Sequence, residues 1–250
     1  MRSSAARVLP HGWGDLLRQI VLFCGAYWLY RLVRGMVDGR SAEAFDNARA
    51  LIDAERALGL FVEPSVHAWA SGSSLIIDVS SWMYLNSHFG VTVVALAWLY
   101  LRRNERFYFV RNMFMVAMGL ALVGYMAYPT APPRFLTEWG FTDTVANFVG
   151  QDAEMSAGVL YNPYAAVPSM HVAFALMIAI PAIMLVRHRA LKVLWAVYPL
   201  VVTFVVMVTA NHFWLDAALG ALVAAMSAYA AYAAFARARP EAWAWHTARA

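Results

Sequence analysis

A single cysteine, Cys24, occurs in 250 residues, and it lies inside an apolar run. An internal disulfide is therefore impossible, and so is a metal centre built from several thiolates. Lysine is almost missing as well: Lys192 stands alone against 18 arginines. Charged residues make up 14% of the chain, where an ordinary soluble domain carries about 25%. There is no internal repeat of 20–50 residues and no low-complexity tract. No small-residue cleavage site follows Arg2, Arg7 and Arg18, so the first apolar block reads as a retained helix. These shortages exclude a disordered chain, a nucleic-acid module and a conventional cytosolic enzyme.

What is present is apolar, at 62% of residues, with a mean hydropathy of +0.55. The surplus falls in six blocks, residues 16–37, 75–101, 109–128, 169–187, 190–210 and 213–236. Each is long enough for a helix to cross a hydrocarbon core about 30 Å thick. Pro181 and Pro199 fall inside two of them, which a membrane helix tolerates when neighbours satisfy the freed carbonyl. The expected fold class is an all-α integral membrane protein, a six-transmembrane-helix bundle in one domain (1–250), with residues 237–250 as a cytoplasmic tail.

The net charge of +4 is a matter of sidedness. Eleven basic residues occupy the N-terminus, loops 102–108 and 187–192, and the tail. Only Arg40, Arg49, Arg56 and Arg134 occupy the opposite connections. By the positive-inside rule both termini are cytoplasmic, and segments 38–74, 129–168 and 211–212 face the other side. The expected location is a plasma membrane, a bacterial inner membrane, with the polar site described next on the extracytoplasmic side. Residues 42–58 read as an interfacial helix ended by Gly59, with Phe45, Ala48, Leu51, Ile52 and Leu58 on one face. Glu55 lies in the middle of that face, either as a structural partner of an arginine or as part of a substrate site.

Three extracytoplasmic stretches hold the polar residues that do not suit lipid: Tyr128-Pro-Thr-Ala-Pro-Pro-Arg-Phe135, Ala166-Val-Pro-Ser-Met-His171 and Asn211-His-Phe-Trp-Leu-Asp216. His212 and Asp216 are one helical turn apart and share a face, a pairing that fixes a histidine tautomer and raises its basicity. His171 opens a helix behind Pro168 and the candidate cap Ser169. The free N–H groups of such a helix start suit phosphate oxygens. A His-x-x-x-Asp pair alone is equally a structural polar pair. Ionisable residues near membrane depth are costly, however, and the two motifs fall on one side. Together they read as a phosphoryl-transfer site that needs no metal and no cofactor.

Pro168-Ser169-Met170-His171 resembles the Pro-Ser-x-His motif of the type 2 phosphatidic acid phosphatase superfamily, and His212-x-x-x-Asp216 resembles the end of its last motif. The resemblance covers roughly residues 45–220, with a core of about 45–236. The Pro-rich stretch is similar to that of the branch containing fungal inositol phosphorylceramide synthases and their bacterial relatives. The resemblance implies phosphoester transfer on a lipid through a phosphohistidine. It makes His212 the nucleophile, Asp216 its orienting partner and His171 the acid and then base.

The chain departs from the superfamily in lacking its Lys-x₆-Arg-Pro motif, and it carries Val205 and Val206 where a Ser-Arg pair is expected. Arg134 is the local substitute, as phosphate ligand or interfacial anchor. Ser169, Tyr128, Glu55, His88 and Arg111 complete the candidate substrate-binding set. His88 reads as a buried polar contact or an acceptor-recognising group. Arg111, like Arg31 and Arg34, reads also as a snorkelling residue. His11, His67, His188 and His246 read as surface residues. The expected partner is a membrane lipid, as substrate of an inositolphosphotransferase or, with water as acceptor, of a lipid or polyprenyl phosphate phosphatase. A non-catalytic transporter or scaffold is a third reading. Oligomeric state leaves no mark in the sequence.

Overall fold

A computed structural model describes residues 9–35, 39–150 and 164–237. The expected roles of Arg2, Arg7, Arg239, Arg249 and His246, and of segment 151–163, fall outside these residues. Among the described residues the chain is helical, with an isolated bridge between Thr130 and Ala165 as its nearest approach to a sheet. The helices are α1 (Gly12–Gly35), α2 (Ser41–Ala57), α3 (Glu63–Ser71) and α4 (Ser74–Trp82). A π-helical turn, Met83–Ser87, joins α4 to α5 (His88–Arg102). Then come α6 (Asn104–Ala127), α7 (Thr144–Val149), α8 (Met170–Leu185), α9 (Arg189–Val208) and α10 (Trp214–Ala230).

Among the described residues, four helical stretches are long and apolar enough to cross a membrane: Ser74–Arg102, Asn104–Ala127, Arg189–Val208 and Trp214–Ala234. The other two blocks read from the sequence form α8, whose 16 residues span about 24 Å at 1.5 Å per residue, and α1, whose 24 residues carry Asp15, Arg18, Arg31 and Arg34.

Helix α8 packs on α9 and α10, and α6 lies against α10, α8 and α1. Leu99, Phe107, Phe114, Met118, Met177 and Ile178 form the core between them. A buried polar network fastens α1 to this core. Tyr100 and Tyr108 donate to Asp15 Oδ2 at 2.9 and 3.0 Å, Gln19 donates to Asp15 Oδ1 at 2.9 Å, and Arg111 donates to Gln19 Oε1 at 2.9 Å. Arg111 also donates to Asn112 Oδ1. Polar groups this deep require such partners.

A second, smaller core caps one end of the bundle. It joins Ala44, Ala48, Leu51 and Ile52 of α2 to Ala131, Leu136, Phe141, Val167, Ala210 and Phe213. The buried face of α2 is Ala44, Ala48, Leu51, Ile52 and Glu55, which corrects the expected face. Leu58 is 63% exposed, because α2 ends at Ala57 and the chain turns at Gly59 with φ +68°. The small Ala44 lets the Pro-rich segment lie directly on α2, with Ala131 N–H donating to Ala44 O at 3.0 Å. That segment also exchanges backbone bonds with residues 164–166. It therefore ties α2 to the start of α8. The exposed basic residues Arg102, Arg103, Arg106, Arg187, Arg189 and Lys192 lie at the opposite end, where α5 meets α6 and α8 meets α9.

Candidate active site

The starts of α8 and α10 meet beneath the α2 cap. Ser169 N–H donates to Asp216 O at 3.0 Å, which fixes the first turn of α8 on the first turn of α10. Gly220, one turn further, makes this approach possible: a Cβ there would stand 2.2 Å from Ser169 O and 3.2 Å from its carbonyl carbon. Gly220→Ala is accordingly expected to force the two helix starts apart at a cost of roughly 1–3 kcal/mol, the usual range for overpacking. The thermal midpoint in detergent checks this, and an unchanged midpoint with full turnover would contradict the fit.

Asp216 is fully buried and plays two parts. Its Oδ2 accepts Phe213 N–H at 2.9 Å, capping α10, and lies 3.3 Å from His212 Nδ1. A carboxylate oxygen accepts only, so Nδ1 carries the hydrogen and Nε2 is the basic nitrogen. The rings of His171 and His212 lie 5.6 Å apart, centroid to centroid, at 61°. Tyr84 stacks on His171 at 4.5 Å, and His88 adjoins it at 4.7 Å. The π-helical turn aims these side chains, a local irregularity that recurs at functional positions.

The loop from Val208 to Trp214 is held from three directions. On α3, His67 Nε2 accepts Thr142 N–H at 3.2 Å, so Nδ1 carries the hydrogen and donates to Val208 O at 2.8 Å. Also on α3, Glu63 Oε1 accepts Trp214 N–H at 2.6 Å; on α2, Glu55 Oε1 accepts Leu215 N–H at 2.7 Å. From the Pro-rich segment, Arg134 N–H donates to Ala210 O at 2.7 Å, and its guanidinium donates to Asn211 Oδ1. Arg134 Nε also pairs with Asp143 Oδ2 at 3.0 Å.

Seven of the nine residues singled out in the sequence thus gather at one end: His171, His212, Asp216, Ser169, Arg134, His88 and Glu55. Ser169 Oγ is buried without a hydrogen-bond partner among the described residues. Arg134 is buried at 6% exposure, beside the loop that carries His212. Tyr128 is exposed at the rim, where its hydroxyl donates to Asn47 O at 3.3 Å and helps hold α2 down. Arg111 is not brought to this end. It precedes Tyr125 by 14 residues on α6, about 21 Å of helix, whereas Tyr125 reaches the site and donates to Pro168 O at 3.3 Å.

His67 is the clear departure from expectation: read as a surface residue, it is 1% exposed. Sequence reasoning also passed over Glu63, Asp143, Asn211 and Tyr84. Asn211 had a signal, standing directly before His212. Glu63 acts on the loop across a long sequence separation, Asp143 acts on Arg134 and Tyr84 on His171, and these three had none.

The model describing the PAP2 superfamily matches residues 49–230. No curated protein and no solved structure matches the chain. The matched region runs from α2 to the end of α10 and includes every helix that shapes the site. Membrane-type helices, the Pro-Ser-x-His start of α8 and the His212–Asp216 pair agree with it: the chain belongs to the PAP2 superfamily and is an enzyme of the phosphatase and phosphotransferase kind.

Proposed function

We propose that this enzyme moves a phosphoester group from a lipid donor to a hydroxyl acceptor, in the manner of an inositolphosphotransferase, through a phosphohistidine on His212. The observation that carries the reading is the oriented His212–Asp216 pair facing His171 across 5.6 Å, close enough for one phosphoryl group to meet both rings. The start of α8 offers backbone N–H groups and the Ser169 hydroxyl to phosphate oxygens, and Arg134 supplies the nearest buried positive charge.

In the first half-reaction His212 Nε2 attacks phosphorus, and a P–N bond forms. The P–O bond to the leaving group breaks, and that oxygen takes a proton from His171. Asp216 stabilises the positive charge that develops on the ring, and this orienting role needs the tautomer seen here. In the second half-reaction His171 removes a proton from the acceptor hydroxyl. The acceptor oxygen attacks phosphorus, the P–N bond breaks, and His212 returns to its starting state. General acid–base assistance of this kind is worth about 10²–10⁴-fold.

The resemblance of the Pro-rich segment to that of the inositol phosphorylceramide synthase branch favours transfer to a hydroxyl acceptor; the segment joins α2, residues 164–166 and the His212 loop. A second reading, with water as the acceptor, is favoured by the cleft beside His171. Met83, Tyr84, Ser87, His88, Val202, Val205 and Val206 line it, and its volume is about 10 Å³, the scale of one water. Val205 and Val206 make its wall apolar where the superfamily pattern has a Ser-Arg pair.

We place the protein in a plasma membrane as six crossings, counting α1 and α8, with α2 at the interface and both termini cytoplasmic. Clustering of the exposed basic residues at the end away from His212 supports that orientation.

Purified protein in mixed micelles with radiolabelled phosphatidylinositol decides between the acceptors. Label is expected in a new lipid when a ceramide-like acceptor is present. Water-soluble phosphate released equally with and without acceptor would make the enzyme a hydrolase. Absence of turnover on this donor and on phosphatidic acid would remove the lipid reading.

A further inference from the structure

Two glutamates are fully buried at the start of α10, and the mechanism above uses neither. Glu55 of α2 and Glu63 of α3 are both 0% exposed. Each spends one oxygen on a backbone N–H of the first turn, Leu215 at 2.7 Å and Trp214 at 2.6 Å. Their second oxygens, Glu55 Oε2 and Glu63 Oε2, are buried and meet no donor among the described residues. Because they hold the N–H groups of consecutive residues, the two carboxyl groups stand side by side. Two ionised carboxylates have no hydrogen to share, whereas one proton between them makes one oxygen a donor and satisfies both.

We propose that Glu55 and Glu63 are positioning residues that act as a one-proton pair, holding the first turn of α10 and, through it, the His212 imidazole. The inference rests on the phosphoryl-transfer reading only for its activity readout. The pair occupies the N–H groups of Trp214 and Leu215, so the start of α10 serves the protein and leaves phosphate to the start of α8. With Asp216 on Phe213 N–H, three successive N–H groups behind His212 are pinned by carboxyl oxygens from three helices. A shift of that turn moves Nε2, and a misplacement of about 1 Å in a reacting group costs on the order of 10²-fold.

Burial is the main influence on Glu55 and pushes its pKa from the ordinary 4.5 up to about 8; the Leu215 bond opposes the rise, and Glu63 and Asp216 add to it. The titratable groups on the surrounding elements are Glu63 and His67 of α3, His212 and Asp216 beside α10, and Arg134. The guanidinium of Arg134 is engaged by Asp143 and Asn211. The folded chain keeps the Glu55 proton up to about pH 8, whereas the unfolded chain releases it near 4.5. The unfolded state thus binds fewer protons in that window, and stability falls as pH rises through it.

Glutamine substitution separates this pair from two independent anions. In Glu55→Gln the amide carbonyl accepts Leu215 N–H and the amide nitrogen donates to Glu63 Oε2, which imitates the shared proton. Glu63→Gln does the same in reverse. Each single variant is expected to lower kcat only about two- to tenfold, the worth of a weakened hydrogen bond, with KM little changed. Each is expected to lose the fall in thermal midpoint between about pH 4.5 and 8, and the fall in kcat as pH passes about 8, that are expected of the parent. The double variant sets two amide nitrogens face to face with no acceptor, and its kcat is expected to fall by about 10²-fold.

Turnover is read on phosphatidic acid and phosphatidylinositol micelles, and the thermal midpoint is scanned from pH 5 to 9 without substrate. A double variant as active as the singles, or single variants that keep the parent's pH-dependent midpoint, would overturn the pair. If the parent turns over neither lipid, the activity reading fails while the midpoint scan still decides the pair.

Discussion

His212→Ala is expected to lose turnover by about 10⁶-fold, the scale on which enzymes with a covalent intermediate fail when the nucleophile is removed. The protein should nevertheless fold, because the loop does not depend on the ring. Val208 O stays bonded to His67, Ala210 O to Arg134 N–H and Trp214 N–H to Glu63. Asp216 also keeps Phe213 N–H and so keeps its cap on α10. The measurement is turnover of labelled phospholipid alongside the thermal midpoint in detergent. Loss of activity with a midpoint within a few degrees of the parent is the expected pair of results. Substantial activity in this variant would remove His212 from the nucleophile role.

Asp216→Asn tests a different property of the same pair and is expected to cost about 10²–10⁴-fold in kcat. The asparagine carbonyl can replace Oδ2 towards both Phe213 N–H and His212 Nδ1–H, so the cap and the tautomer survive. What disappears is the negative charge that balances the phosphoimidazole. Because Asp216 also acts unfavourably on Glu55, removing its charge relieves the carboxyl cluster, and the thermal midpoint is expected to hold or rise. Asp216→Ala, in contrast, deletes the cap and is expected to lose about 1 kcal/mol of stability as well as activity. The asparagine and alanine variants, compared by kcat and midpoint, separate charge from capping. An asparagine variant with parental kcat would show that the charge does no chemical work.

The parts of this site that act locally were open to a reading of the sequence. His212 and Asp216 declare themselves by one-turn spacing, His171 by its place after a proline and a cap residue, and Arg134 by being the single cation in a long connection. The parts that act across the chain were not. Glu63 and His67 grip the His212 loop from about 140–150 residues away, on α3, a nine-residue helix too short to display a clear apolar period. His67 therefore looked like a surface histidine, and its burial follows from a tertiary contact that no local pattern encodes.

Arg111 shows the converse. A basic residue in an apolar run invited a phosphate role, but Asp15, Gln19 and Asn112 surround it far down α6. Glu55 lies on the buried face of α2, among Ala48, Leu51 and Ile52. The group it meets is the backbone N–H of Leu215 on α10, rather than an arginine. The helical class was readable from composition alone. The fourth block drawn from hydropathy runs to residue 187, whereas α8 ends at Leu185.

The central claim is the covalent step on His212, and rapid acid-free quenching with site mapping tests it most directly. Enzyme mixed with donor lipid labelled at phosphorus is denatured within milliseconds, digested under alkaline conditions and mapped by mass spectrometry. The account predicts an acid-labile, alkali-stable phosphoryl or phosphodiester adduct on the peptide carrying His212, absent from His212→Ala and discharged on adding acceptor. An adduct on His171, or steady turnover in the parent with no adduct on any residue, would contradict it.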